Sequence, residues 1–148
     1  MILVDVHSHL YYKDFTDLDE VIKQAEDAGV KVIVCAGIDA KSNRQTLEIA
    51  SKYPLVKAVL GIYPPDALDK ENKDMGNTSV SDSSASVLNI DDEIEFIRSN
   101  RRKIIGIGEI GLDFSYKEFD MKLQMDVFVK QLLLAKQQIG RASCRERV

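Results

Sequence analysis

The chain has 148 residues, 45% of them hydrophobic and 30% charged, a composition typical of one soluble globular domain. No apolar run approaches the ~18 residues of a membrane span, and the amino terminus lacks the basic region and long apolar core of a signal peptide. We therefore expect a cytoplasmic protein that does not associate with membranes. The net charge of −4 argues against a broad basic surface for sequence-independent binding of nucleic acid.

The first predicted strand, residues 2–7, leads into a sequence that suits metal binding. Asp5, His7 and His9 alternate with other residues, and side chains two apart on a strand point to the same face, so both imidazoles can reach one ion. Asp5 can hold the histidine tautomers or act as a weaker ligand. An isolated His-x-His motif is equally compatible with two half-exposed polar residues at a strand end.

The following residues alternate between helix and strand patterns, which indicates a parallel sheet. The predicted elements are a helix opened by Asp17 and closed by Gly29, a strand at 30–36, a helix at about 41–52, a strand at 56–62, a short helix beginning at Asp91, and a strand at 103–108. Residues 69–90 interrupt this rhythm. Most of them are Ser, Asn, Asp and other polar residues with little to bury, and they predict a flexible loop, either a lid over the active face or a neutral insertion.

The strand predicted at 103–108 stops at Gly108-Glu109 and thus places a carboxylate at its carboxyl end, where parallel α/β proteins carry their chemistry. Its glycines also match the dinucleotide fingerprint G-x-G-x-x-G. That fingerprint needs a helix directly after the glycines. No helix pattern begins here before about Phe119, and Glu109 would repel the phosphates, so we set the nucleotide interpretation aside.

The last predicted helix has an apolar stripe that we interpret as core packing. The stripe consists of Met121, Met125, Phe128, Leu132 and Ala135. Of the two cysteines, Cys35 is expected to be a small buried hydrophobe, and Cys144 lies in the tail. Their spacing fits neither a metal knuckle nor a disulfide framework.

Four motifs in this order resemble the TatD family of metal-dependent hydrolases, over nearly all of residues 1–138. They are Asp-x-His-x-His at 5–9, Gly-Ile-Tyr-Pro at 61–64, Ile-Gly-Glu-Ile-Gly-Leu-Asp at 107–113, and Gln124…Phe128…Gln131-Leu132…Leu134-Ala135. The resemblance implies a (β/α)8 TIM-type barrel with two divalent metal ions (Mg²⁺, Mn²⁺ or Zn²⁺) in its intact site. It assigns His7, His9 and Glu109 as metal ligands and leaves the catalytic residues undefined.

Two positions depart from the family pattern. The family often has His where Tyr63 stands, and a phenol can donate a hydrogen bond to phosphate but does not replace an imidazole as a proton donor near neutral pH. The Asp that commonly follows His-x-His-Leu is Tyr11 here. We place Asp5, Tyr63 and Asp113 next to the ligands or the substrate. Tyr63 is equally compatible with an ordinary aromatic residue at the barrel mouth.

The chain is short for the fold that its motifs predict, because a closed barrel needs about 250 residues. Residues 1–138 are expected to form the first four βα units, the N-terminal half of a truncated barrel. Residues 139–148 have no apolar period and can be back-translated into a widely used sequencing adapter. We hypothesise that they are a non-native tail; the alternative is a genuine basic C-terminus.

The predicted function is divalent-metal-dependent hydrolysis of phosphodiester bonds, with DNA as the expected nucleic-acid substrate, in a protein of which this chain is an incomplete and inactive fragment. Two alternatives stay open. One is an amidohydrolase-type barrel that acts on amides or lactones with the same metals, and the other is a non-enzymatic remnant.

Overall fold

The computed structural model describes residues 2–64, 89–115, 120–139 and 142–147. Over these residues the chain alternates between strand and helix, in the order β1 (Leu3–Ser8), α1 (Leu18–Asp27), β2 (Val30–Ala36), α2 (Ala40–Lys52), β3 (Val56–Leu60), α3 (Ile90–Ser99), β4 (Ile104–Asp113), α4 (Met121–Leu134) and β5 (Ala142–Arg147). A π-helical segment, Ala135–Ile139, extends α4. Among the helices described, none combines the length and the apolar character that a bilayer crossing requires.

Short polar side chains fix where the helices begin. Asp17 accepts a hydrogen bond from the amide of Glu20 at 3.0 Å and caps α1. Asp39 and Ser42 bond each other's backbone amides at the start of α2, so that orphan N–H groups of the first turn find acceptors. Gly29, with φ of 91°, ends the turn after α1 in a conformation that favours glycine. The predicted opening of α1 at Asp17 is confirmed.

The five strands form one parallel sheet in the order β1-β2-β3-β4-β5. Neighbours in sequence are therefore neighbours in the sheet, and a helix connects each of the first four strands to the next. This is the connectivity of the first half of a (β/α)8 barrel, which confirms the predicted fold class. Parallel strands point their carboxyl ends to one edge, so the residues that follow β1, β2 and β3 meet there.

The core has two apolar clusters. One lies where α3 and α4 cover β3 and β4, and its fully buried members include Leu60, Ile97 and Ile107. The other lies where α1 and α2 cover β2 and includes Cys35, which is buried as predicted. Burial raises the pKa of the Cys35 thiol, so the side chain packs as a neutral group.

Strand β4 is longer than predicted. We expected it to stop at Gly108-Glu109, but it continues to Asp113. Pairing explains the difference, because β3 supports β4 only as far as Ile107, opposite Leu60, whereas β5 pairs with it from Ile110 to Asp113. Glu109 therefore lies within β4, immediately beyond the part that β3 covers.

The apolar stripe predicted as core packing in the last helix is confirmed only in part, because Ala135 is buried in the core and Phe128 packs against it. Met121, Met125 and Leu132 are exposed, and the buried face of α4 carries Gln124, Val127, Gln131 and Leu134. Two amides occupy core positions because each one bonds a backbone N–H and C=O pair, which removes the cost of burying it. Counting apolar residues in the sequence therefore selects the exposed face of the helix as the buried one.

Residues 142–147 form β5, although they show no apolar period. They pair in parallel with β4, with Ile110 opposite Cys144 and Asp113 opposite Arg147. Backbone hydrogen bonds alone suffice for such pairing, which the sequence pattern does not report. The loop predicted at 69–90 lies outside the described residues over 69–88; Asn89 and Ile90 cap and begin α3.

Candidate metal centre

His7 and His9 bring two ring nitrogens to one point beyond β1. His7 lies in β1 and His9 directly follows it. Their Nε2 atoms are 3.1 Å apart, and the rings meet edge to face with centroids 4.8 Å apart. The shared face predicted from the two-residue spacing is present.

Glu109 reaches the same point from β4. Its Oε2 lies 3.2 Å from Nε2 of His7 and 3.7 Å from Nε2 of His9. The side chain of Glu109 is 5% exposed, against 43% for His7, so the carboxylate forms the floor and His7 the open side. About a hundred residues separate the acid from the histidines in sequence, and the sheet brings them together.

The spacing of these atoms suits a metal ion. In a tetrahedral site with bonds of about 2.0–2.2 Å, ligand atoms lie about 3.3–3.6 Å from one another. The three distances of 3.1, 3.2 and 3.7 Å surround that range. Among the described residues, His7, His9 and Glu109 are the group of His, Cys, Asp or Glu side chains close enough to share an ion. Two imidazole nitrogens and one carboxylate oxygen are a donor set that divalent metals accept.

Contacts behind His9 orient its ring. Its Nδ1 lies 2.9 Å from the carbonyl oxygen of Ala36 and 2.9 Å from the hydroxyl of Tyr11. A carbonyl only accepts, so Nδ1 carries the proton and the lone pair of Nε2 faces Glu109. We expected Asp5 to hold a histidine tautomer or to act as a weaker ligand. The structure instead places its carboxylate on the backbone amide of His7, at 3.0 Å.

Tyr11 and Tyr12 surround His9, and sequence reasoning missed both roles. The Tyr12 ring stacks on the His9 ring with centroids 5.2 Å apart, and Tyr11 meets both rings edge to face. Burial raises the pKa of Tyr11, so its hydroxyl stays neutral and serves as a hydrogen-bonding group. Their closeness to His9 in sequence could have predicted these contacts, because both residues follow His9 within three places.

Tyr63 and Asp113 also come together, at the carboxyl ends of β3 and β4. The Tyr63 hydroxyl donates to Oδ2 of Asp113 at 2.9 Å. Oδ1 of the same carboxylate accepts from the amide of Ser115 at 3.0 Å and from its hydroxyl at 2.5 Å. The phenol proton, which could have been donated to a phosphate, is therefore directed at Asp113.

The buried glutamines of α4 fix both members of this pair. Gln131 accepts from the amide of Ile62 at 2.7 Å and donates to its carbonyl at 3.0 Å. Gln124 bonds the amide and the carbonyl of Asp113 in the same way, both at 2.9 Å. Each side chain thus replaces a neighbouring strand for one residue. Ile62 precedes Tyr63, so α4 sets the positions of the phenol and of the carboxylate.

Comparison with known proteins gives a consistent result. The family model described as TatD related DNase matches residues 4–140. The metal-dependent hydrolase YabD of Bacillus subtilis, whose name calls it uncharacterized, is 31% identical over 136 residues, which are 91% of this chain and 47% of YabD. Human deoxyribonuclease TATDN3 is 29% identical over 140 residues, 90% of this chain and 48% of that protein. The chain thus spans about half the length of the curated relatives it matches.

A solved structure shows the same fold. The crystal structure of YjjV, a TatD homologue from Escherichia coli K12, superposes with a TM-score of 0.73 at 24% sequence identity, and the match covers 97% of this chain and 51% of YjjV. The family model covers more than half of the chain and includes all three residues of the metal-capable group. The chain belongs to the TatD-related DNase family.

Proposed function

We propose that the protein to which this chain belongs is a divalent-metal-dependent hydrolase that cleaves phosphodiester bonds, with DNA as its substrate. The observation that carries this proposal is the approach of Nε2 of His7, Nε2 of His9 and Oε2 of Glu109 to within 3.1–3.7 Å of one another at the open end of the sheet. The human relative TATDN3 is named a deoxyribonuclease, which supports the choice of substrate.

The three residues of the centre offer different kinds of ligand atom to a cation. His7 and His9 offer neutral nitrogen lone pairs, and Glu109 offers a buried negative charge with a second oxygen. We propose that Glu109 contacts two ions in the intact site and that further ligands come from outside this chain. Divalent ions held there, Mg²⁺, Mn²⁺ or Zn²⁺, supply Lewis-acid polarisation of the phosphodiester.

Charge explains why such a site needs cations. The chain carries a net charge of −4, and Glu109 and Asp113 place carboxylates in the strand that forms the floor. Without cations these carboxylates repel a phosphate group, because both are buried and little screened by water. We propose that Tyr63, held against Asp113, lies beside the substrate and limits how it enters.

The proposal is tested with the protein expressed from a gene that continues with its natural sequence beyond codon 138, by measuring which substrates that protein hydrolyses. With Mg²⁺ or Mn²⁺ we expect cleavage of DNA and of a nitrophenyl phosphodiester, no cleavage of a panel of nitrophenyl amides and lactones, and loss of activity in His9→Ala. The chain of 148 residues alone is expected to be inactive. Cleavage of amides or lactones instead would contradict the proposal and support the amidohydrolase alternative; no activity on any substrate would support a remnant.

A further inference from the structure

Asn43 is a fully buried side chain on α2 that bonds the backbone of the strand-three exit. Its Nδ2 donates to the carbonyl of Gly61 at 2.9 Å, and its Oδ1 accepts from the amide of Gly61 at 3.2 Å. It is 0% exposed, so these bonds form without competition from water. Asn43 thereby fixes one residue of the loop that follows β3.

The same side chain packs against Gly37, which follows β2. A Cβ added to Gly37 would lie 2.1 Å from Oδ1 of Asn43, far inside contact distance. Only a glycine leaves room for the amide at this point. Asn43 therefore contacts the chain at the ends of two adjacent strands.

Both glycines contact the backbone of Glu109. The carbonyl of Gly37 accepts from the amide of Glu109 at 3.1 Å. A Cβ on Gly61 would lie 2.7 Å from the carbonyl oxygen of Glu109 and 2.7 Å from the carbonyl carbon of Gly108. The Glu109 peptide thus contacts two glycines, of which Asn43 bonds Gly61 and packs against Gly37.

Glu93 on α3 sets the orientation of the Asn43 amide. Its Oε1 accepts from Nδ2 of Asn43 at 2.8 Å, and its Oε2 accepts from Arg44 at 2.7 Å. A carboxylate that pairs with arginine can only accept, so Nδ2 rather than Oδ1 must face it. Oδ1 is then directed at Gly61 and Gly37. Glu93 is 2% exposed, and its charge is balanced by Arg44.

We propose that Asn43 is a positioning residue for the metal ligand Glu109. It acts through Gly37 and Gly61, and Glu93 helps to fix the orientation of its amide by accepting from Nδ2. The inference rests on the proposed metal centre. It adds a buried polar connection from α2 and α3 to a carboxylate on β4, made by residues that do not themselves touch the metal.

Three variants and one matched control test this proposal. Asn43→Ala removes all the contacts. Asn43→Asp keeps the size of the side chain but replaces the N–H donor that faces Glu93 with a carboxylate oxygen. Asn43→Asp combined with Glu93→Gln exchanges the amide and the acid and restores a donor–acceptor pair between them. The control, Ile49→Ala, destabilises the same helix from a buried position in the apolar cluster between α1, α2 and β2.

Two readouts on the chain of 148 residues separate positioning from stability. The first is hydrogen exchange of the Glu109 amide without metal, followed by NMR. The second is the affinity for Co²⁺ from visible absorption, measured where each variant is folded. We expect Asn43→Ala and Asn43→Asp to accelerate exchange at Glu109 relative to Ile49→Ala and to weaken Co²⁺ binding about tenfold, as loss of an outer-shell contact does. The double variant should recover part of both effects.

Exchange at Glu109 that matches Ile49→Ala in both single variants would overturn the inference, as would faster exchange with unchanged Co²⁺ affinity. Failure of the proposed centre looks different, because the unaltered chain and His7→Ala would then bind Co²⁺ equally poorly. Suppose that outcome is combined with the expected faster exchange of the Glu109 amide in the Asn43 variants. Asn43 would then position a residue that is not a metal ligand, and the inference as stated would be overturned.

Discussion

The hydroxyl of Tyr11 lies 2.9 Å from Nδ1 of His9, on the side of the ring away from Glu109. The family resemblance of the sequence leads us to expect an aspartate at this position. A half-buried phenol that stays neutral can accept a hydrogen bond from Nδ1–H alongside the Ala36 carbonyl but adds no charge behind the ring. His9 is therefore held by dipoles alone, which makes it a weaker electron donor than an imidazole backed by a carboxylate.

Tyr11→Phe should lower the metal affinity of the centre without abolishing it. The Ala36 carbonyl still fixes the tautomer, so we expect a loss of up to about 10-fold, the lower end for an outer-shell contact. Titration with Co²⁺ measures the change. Tyr12→Phe is the matched control, because the Tyr12 ring stacks on His9 and the substitution keeps that stacking. Equal affinities for the two variants would contradict a role for the Tyr11 hydroxyl.

Gln124→Leu and Gln131→Leu should each destabilise the fold. Either change leaves one buried backbone N–H and one C=O without a partner, at a cost of about 2–4 kcal/mol in the free energy of unfolding. Urea denaturation measures this, with the exposed Gln137→Leu as a control expected to change stability by less than about 0.5 kcal/mol. A loss below about 1 kcal/mol in both buried variants would show that the bonds to Ile62 and Asp113 add little.

Gly61→Ala should disturb Glu109 as well as lower stability. The added methyl would meet backbone atoms of Gly108 and Glu109 at 2.7 Å, which cannot move aside as a flexible side chain can. We expect a loss of about 1–3 kcal/mol together with weaker binding of Co²⁺. The control is Gly29→Ala, at the turn between α1 and β2. Strain at a φ of 91° lowers its stability, but its binding of Co²⁺ should be unchanged. If Gly61→Ala bound Co²⁺ as tightly as Gly29→Ala and the unaltered chain do, the contact between Gly61 and Glu109 would not matter for binding.

The chain of 148 residues should self-associate through β1. Among the residues that the structure describes, this strand pairs with β2 alone, and Val4 and Val6 on one of its faces are 51% and 73% exposed. An open edge with an apolar face is a template for pairing with another chain. Sedimentation velocity should show oligomers that Val4→Lys with Val6→Lys shifts towards monomer, whereas Met121→Lys with Met125→Lys on α4 has a smaller effect. A monomeric unaltered chain would refute this prediction.

Much of the fold could be predicted because its signals are local. Gly29 separates α1 from β2, and the bounds 30–36 match β2 as observed. The end of β4 could not be predicted from the 103–108 pattern, since a partner strand rather than an apolar run extends it to Asp113. The buried face of α4 was missed for a similar reason. Gln124 and Gln131 look like surface residues until the backbone groups that they bond are known.

The candidate site was predictable in its side chains but not in their support. Spacing placed His7 and His9 together, and the resemblance added Glu109. The resemblance did not identify the Ala36 carbonyl or the two glycines that contact Glu109, because backbone atoms and small residues carry no chemical signal in a sequence. Tyr63 was expected near the substrate, and its hydrogen bond to Asp113 depends on strand ends that only the sheet aligns.

X-ray absorption spectroscopy of the chain loaded with one equivalent of Zn²⁺ tests whether His7, His9 and Glu109 bind a metal ion together. We expect nitrogen and oxygen neighbours at about 2.0–2.2 Å with the outer-shell scattering of two imidazoles. That signal should fall to one imidazole in His7→Ala, and the affinity should fall in Glu109→Gln. Zinc bound without imidazole scattering, or a spectrum unchanged by His7→Ala, would contradict a metal centre built from His7, His9 and Glu109.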